Sequence, residues 1–410
     1  MTTSWQDTGD SGSFLSALPT HENIERHFRS LISPLRLFPG AALAVALDGR
    51  IVLDLHEGLA DTQRGEQVTP ATLFPLFSGT KPFTAVALWQ QVERGCIELD
   101  DRVSDIWPAF GQSGKQQVRI EHILSHRGGF PQTPPELPRR EWGNWLKATQ
   151  AIAAMPLEYQ SGSISAYHFV NQHWVCAELV QRLDGRDIVS YLRDEVTGPL
   201  RLDDTFIGLP GDLESRLAQL HATDGCDART LETLRALWEH PLHRMVVPGA
   251  SGVSTARDMA RFYAAIAAGG ALDDDRILTQ PTVNRMLSLV VDGDHDYTLD
   301  VPVRRCHGFE LGGLNDPRRH WPGSTSTVRT FWHGGFGSSV CWGEQDHGLA
   351  VAFLTNGVRR DAAGAMARRD ISYGFLVITW CMSRVVGRAT SGTRCGRAGG
   401  RVALPGFGSG

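Results

Sequence analysis

Lysine is nearly absent from this 410-residue chain: of its 40 lysines and arginines, only Lys81, Lys115 and Lys147 are lysines. Arginine stays protonated in proteins, whereas a lysine amine can give up its proton when desolvated or placed near other cations. The scarcity draws attention to "LFSGTKPF" (76–83), where Lys81 follows Ser78 by three residues. Other absences narrow the function. The longest late apolar run, "FLVITWCM" (375–382), is too short to span a bilayer, so no membrane partner is expected. The opening "MTTSWQDTGDSGSFLSALPTHENIERHF" has no cationic start followed by an apolar core. No signal peptide is expected, and the cytoplasm is the expected location. A net charge of −5, with no basic stripe before the tail, argues against a nucleic-acid partner. The seven cysteines stand singly at 96, 176, 226, 306, 341, 381 and 395, which reads as reduced thiols and not as a disulfide frame or zinc site. There is no G-x-S-x-G elbow, G-x-G-x-x-G or P-loop, so neither an α/β-hydrolase nucleophile nor a nucleotide cofactor is implied.

What is present is a 41% hydrophobic chain with 44 glycines and 21 prolines, long enough for a large core and rich in turns. "FPGAALAVALDGRIVLDLHEGLAD" (38–61) places two apolar runs around Asp48-Gly49-Arg50 and predicts a β-hairpin. After "SGTK", Val86, Trp89 and Val92 recur at helical spacing up to a stop at Gly95. Segments 141–155, 172–195 and 255–270 also read as helices. "TFWHGGFGSSVCWGEQDHGLAVAFLTNG" (330–357) reads as two strands joined at "EQDHG". Strands first, helices in the middle and strands again at the end predict an α/β fold, with a mostly helical unit inserted into a sheet domain. The expected boundaries are a flexible lead at 1–24, a sheet domain at 25–80 and 241–383, a helical domain at 81–240, and a disordered Gly/Arg-rich tail at 384–410.

A helix starting at or near Ser78 puts Lys81 one turn on, on the same face and within side-chain reach. Pro82 is tolerated there because first-turn N–H groups have no intrahelical partner. The serine would sit at the positive end of the helix dipole, and a buried, less-charged Lys81 could take its proton. The plain alternative is a helix-capping serine followed by a surface lysine. Spacing alone does not separate the two.

The surrounding residues carry a resemblance. "LFSGTKPFTAVALWQQVERGCIELDDRVSDIWP" resembles the nucleophile helix of the serine β-lactamase-related family, which includes class C β-lactamases, D,D-peptidases, esterases and transacylases. "VRIEHILSHRGGFP" (118–131), "TGPLRLDDTFIGLP" (197–210) and "SGVSTARDMARFYAAIAAGG" (251–270) resemble further segments of it in the same order, over roughly residues 25–375. The resemblance implies a class C β-lactamase-like fold, an antiparallel sheet flanked by helices plus an inserted helical domain, with the active site between them.

It also implies roles. Tyr167, five residues after Gly162, resembles the tyrosine of the family's Tyr-x-Asn motif and would move the proton of Ser78; Tyr159 is the rival and lacks that spacing. Phe169 stands where the family has asparagine, losing an amide that could hold Lys81 and the substrate. His333-Gly334-Gly335 stands where the family has Lys-Thr-Gly, so a permanent cation is replaced by one whose charge depends on pH. The N–H groups of Ser78 and Phe336 would form the oxyanion hole. Similar His-Gly-Gly versions occur among the esterase-like members. Trp332, Phe336 and Trp342 could wall an acyl pocket or simply pack in the core. His122 and His126 have the i, i+4 spacing of a zinc pair, but Ile123 stands where a metalloprotease needs glutamate, and they are read as structural.

The expectation is a serine acyl-transfer enzyme without metal or cofactor. It would take a small-molecule acyl donor and pass the acyl group from Ser78 to water, as an esterase, or to an alcohol or amine, as a transacylase of the kind found in natural-product assembly. A β-lactamase or D,D-peptidase, and a non-catalytic binding protein on the same fold, are the alternatives.

Overall fold

The computed structural model describes residues 21–33, 35–224, 226–314 and 326–359; the Gly/Arg-rich tail and the run 375–382 lie outside them. Nine antiparallel strands form the main sheet. In chain order they are β1 (Gly40–Leu47), β2 (Arg50–Asp61), β3 (Glu66–Gln67), β4 (Val291–Asp296), β5 (Val301–Arg305), β6 (Glu310–Leu311), β7 (Thr330–Gly335), β8 (Ser339–Glu344) and β9 (Leu349–Thr355). Across the sheet they run β4-β5-β6-β7-β8-β9-β1-β2-β3. β1 lies against β9, from Ala41↔Thr355 to Leu47↔Leu349, so segments some 300 residues apart in the chain pair in the sheet.

β1 shows how one strand serves two layers. Its even positions, Ala42, Ala44 and Ala46, face the larger core, while Ala41, Leu43 and Val45 face the smaller one. Helix α1 (His21–Ile32) closes the smaller core with Ile24, Phe28 and Leu31. On the other face small side chains on β1 and β9 let the helix Ala256–Ala267 approach closely, packing Phe262 and Ala260 into the core. The expected β1–β2 hairpin forms, its two-residue turn held by positive φ at Asp48 (47°) and Gly49 (78°).

Three expectations shift. The residues 330–344 are themselves a hairpin, turning at Phe336 (φ 41°) and Gly337 (φ 78°), so 330–357 holds three strands and not two. The helix expected over 172–195 breaks at Gly185 (φ 90°), which caps Asn171–Asp184 before a second short helix begins at Ile188. The lead read as flexible over 1–24 becomes helical at His21; residues 1–20 lie outside the description. Among the described residues no helix is long and apolar enough to cross a membrane, and the five described cysteines are free thiols.

Candidate active site

Ser78 lies in a 3-10 turn, Phe77–Thr80, that runs directly into helix α2 (Lys81–Glu93). α2 is buried from Lys81 to Val92, its polar Thr84, Gln90 and Gln91 included, and so is fixed on every side. The turn is pinned from below: the Thr80 hydroxyl donates to Phe77 O (2.6 Å) and accepts from Gly252 N (2.9 Å), and Leu76 N donates to Gly252 O (2.8 Å). Phe77 takes φ 48°, a left-handed value that is costly for a bulky residue. Its neighbour Ser78 is left half-buried at the leading end of α2.

Lys81 is fully buried, which rules out the surface-lysine alternative. Its Nζ lies 2.6 Å from Phe169 O, 2.9 Å from Gly249 O and 3.1 Å from Ser78 Oγ. An ammonium has three N–H groups for these three acceptors. A neutral amine has two, which the carbonyls take, and its remaining lone pair then faces the Ser78 hydroxyl. Desolvation pulls the amine from its ordinary 10.5 down to about 7, so both states are accessible near neutrality.

The expected loss of a lysine-holding amide at Phe169 is thus made good by that residue's own backbone carbonyl. Its ring is partly exposed and meets Tyr167 edge-on, centroids 5.8 Å apart. Asn171, two residues on, takes no such role: its amide donates to Phe130 O and Gln132 O.

Tyr167 is buried, with its ring centroid 5.2 Å from Lys81 Nζ. The His126 ring packs over it at 4.6 Å and 30°, and His333 lies at 6.3 Å. His126 accepts His168 N–H on Nδ1 (3.0 Å), and His168 gives its own Nδ1 proton to Ala166 O (2.7 Å), so backbone partners set both rings. Burial, with Arg305 and the neighbouring histidines next, holds His126 well below the usual histidine range. The rival Tyr159 has its hydroxyl buried without a hydrogen-bond partner among the described residues, and burial holds it protonated.

The charge expected to depend on pH at His333 is set by its surroundings: burial, then the nearby Lys81, pushes the ring down to about 4, so it is uncharged at neutral pH. Its Nδ1 donates to Gly334 O (2.9 Å). Gly335 passes so close to the Phe77–Thr80 turn that a Cβ there would run into the Leu76 carbonyl oxygen and the Ser339 hydroxyl. This contact brings the end of β7, and Phe336 after it, beside Ser78. The rings of Phe77 and Phe336 meet at 5.4 Å. Of the candidate wall aromatics, Trp332 and Trp342 belong to the smaller core, whereas Phe336 sits at the site. His122 and His126 each accept a backbone N–H, and among the described residues no group of three His, Cys, Asp or Glu side chains could hold a metal ion.

Set against known proteins, residues 28–374 match the beta-lactamase family model. The chain belongs to the beta-lactamase family. It is 29% identical over 370 residues to the esterase/beta-lactamase LipL of Mycobacterium tuberculosis, covering 84% of this chain and 82% of that one. Among solved structures, a penicillin-binding protein homologue from Caulobacter crescentus superposes with a TM-score of 0.74 at 29% identity, over 85% of this chain and 96% of that one. A family VIII carboxylesterase shares the fold, with a TM-score of 0.75 at 24% identity over the same shares. The class C-like α/β fold read from the sequence is the fold of this family, and the chain is an enzyme of its serine hydrolase class.

Sequence reasoning missed the carbonyl of Gly249, the aromatic floor of His126, and the charged group behind Tyr167 formed by Asp296, Arg305 and Glu310. A backbone acceptor leaves no side-chain signal, and the charges are spread over three strands.

Proposed function

We propose that this enzyme transfers an acyl group from an uncharged ester through a covalent acyl-Ser78 intermediate. The observation that carries the proposal is the coordination of Lys81: a buried amine whose two carbonyl partners leave its lone pair for the Ser78 hydroxyl. Neutral Lys81 takes the Ser78 proton as Oγ bonds to the ester carbonyl carbon. The negative oxygen that develops is received by the N–H groups of Ser78 and Phe336. The C–O bond to the leaving group then breaks, and the proton passes by way of Tyr167 to the departing alkoxide. In the second half, water, an alcohol or an amine attacks the acyl carbon and returns a proton to the Lys81–Tyr167 pair. Ser78 Oγ leaves and is reprotonated.

The uncharged His333 supports an ester over a carboxylate-bearing β-lactam or peptide, since a neutral ring offers no charge to grip. A cavity of about 360 Å³ borders the Phe77 turn, with Phe77, Leu217 and Leu242 on its apolar side and Asp61, Arg64, Glu214 and Arg244 on its charged side, so it offers room beside Ser78 for a group of mixed polarity. Hydrolysis of a β-lactam is the second reading, favoured by the double name of the LipL relative. Turnover of p-nitrophenyl esters against nitrocefin tests the choice: esters should be cleaved and nitrocefin only weakly. Efficient nitrocefin hydrolysis with inert esters would reverse the assignment. Adding alcohol or amine acceptors and assaying transfer product against free acid decides between transacylase and esterase.

A further inference from the structure

Behind Tyr167 lies a cluster of charges that takes part in no bond-making step. Arg305, Asp296 and Glu310 come from three neighbouring strands and have side-chain exposures of only 1%, 0% and 4%. Arg305 Nη1 donates to Asp296 Oδ2 (2.6 Å) and to Ser165 Oγ (2.7 Å), and Nε donates to Glu310 Oε1 (2.8 Å). Its Nη2 is buried with no hydrogen-bond partner among the described residues. Asp296 Oδ1 in turn accepts the backbone N–H of Tyr167 (3.1 Å), as well as those of Thr298 and Leu299. Ser165 also pairs with Asp296 as an isolated parallel bridge. One guanidinium therefore grips the loop at Ser165 and, through Asp296, at Tyr167 itself. Its carbon lies 5.8 Å from the Tyr167 ring centroid, and Lys81 Nζ lies 5.2 Å from the same centroid.

A buried cluster of this kind adds little net stability, because desolvation offsets the attraction; what it fixes is geometry and local charge. The charges facing Tyr167 are Lys81 and Arg305 on one side of the balance, and Asp296 and Glu310 on the other. The rings of His126, His168, His173 and His333 are neutral through burial, and Tyr159 is a protonated phenol. With protonated Lys81 the cluster is neutral overall, and without Arg305 two carboxylates would face a single amine.

We propose that Arg305 is a positioning residue for Tyr167, anchoring its loop through Ser165 and Asp296 and setting the charge balance around the Lys81–Tyr167 pair. The inference rests on the reading that Tyr167 moves protons during catalysis.

The test is the pH dependence of kcat/KM for a p-nitrophenyl ester in the full-length enzyme and four variants. Loss of the cation favours protonated Lys81 and disfavours phenolate. Arg305→Gln should therefore move the acid limb to higher pH, by about one unit for charges some 10 Å apart at an effective dielectric near 20. Glu310→Gln keeps an acceptor for Nε but removes an anion, and should move the limb the opposite way. Arg305→Lys keeps the charge and should leave the limb in place while lowering kcat. Damage to packing alone gives no such opposition of sign. Limbs for Arg305→Gln and Glu310→Gln that stay put, or that move together, overturn the inference. Should Arg305→Gln not fold, Glu310→Gln decides alone, a limb that stays or rises being the refutation. Tyr167→Phe separates the two levels. Wild-type turnover there removes the premise, whereas an inactive Tyr167→Phe with unmoved Arg305→Gln and Glu310→Gln limbs removes only the role of Arg305.

Discussion

Replacing Lys81 by arginine keeps a cation beside Ser78 and removes the one property on which the chemistry depends. Free lysine at its ordinary 10.5 would be neutral in only about a thousandth of molecules at pH 7.5. Desolvation lowers the buried amine to about 7, so most molecules then carry the free base. A guanidinium never supplies a lone pair at such a pH. A general base contributes about 10²- to 10⁴-fold, so kcat/KM for p-nitrophenyl acetate at pH 7.5 should fall roughly a thousandfold in Lys81→Arg. The wild-type profile should show an acid limb with its midpoint near 7. The same desolvation has a stability consequence with a definite sign. The folded amine titrates lower than the unfolded one, so between pH 7 and 10.5 the unfolded chain binds more protons and stability rises with pH. Below pH 7 the penalty is present in full. Relative to Lys81→Met, the wild type should gain about 2 kcal/mol between pH 7 and 9 in urea unfolding. Lys81→Arg with more than a tenth of wild-type turnover, or a wild-type limb above pH 9, would refute the reasoning.

Further outcomes follow from single contacts. Gly335→Ala should abolish activity or lower Tm sharply, because its Cβ meets backbone at the nucleophile turn. Gly334→Ala, whose nearest new contact is Ser339 O at 3.2 Å, should cost far less in the same two measurements. Tyr167→Phe should lower kcat about a hundredfold or more with little change in Tm, since the ring packing is kept; equal turnover would exclude the phenol from proton transfer. Burial pushes Asp258 up to about 6 while its Oδ2 accepts from Asp204 N and Thr205 Oγ1. That raised value costs stability progressively from pH 3.8 to 6 and in full above it. Asp258→Asn should therefore stabilise by up to about 3 kcal/mol at pH 8 and by little at pH 4.

The fold and part of the site were legible for physical reasons. The continuous apolar run "GAALAVAL" and the Asp-Gly turn report the first hairpin directly, because burial on both faces and a positive-φ turn are local demands. The closeness of Ser78 and Lys81 was legible because residues three apart on one helical turn share a face, and the flanking segments that resemble the family singled the pair out. The hairpin at Phe336-Gly337 was not, since a phenylalanine in a left-handed turn violates the local rule and is held there by its contact with Phe77. Residue type told that the charge of His333 depends on pH, but not that burial would push it down to about 4. Gly249, which supplies only a carbonyl 168 residues from Lys81, gave no signal at all.

The claim beneath the rest is that Ser78 becomes acylated. Intact-mass measurement after brief incubation with a p-nitrophenyl ester tests it most directly. The wild type should gain one acyl mass that maps to Ser78, and Ser78→Ala should gain none. An adduct of equal yield on Ser78→Ala, or steady ester turnover by that variant, would contradict the account.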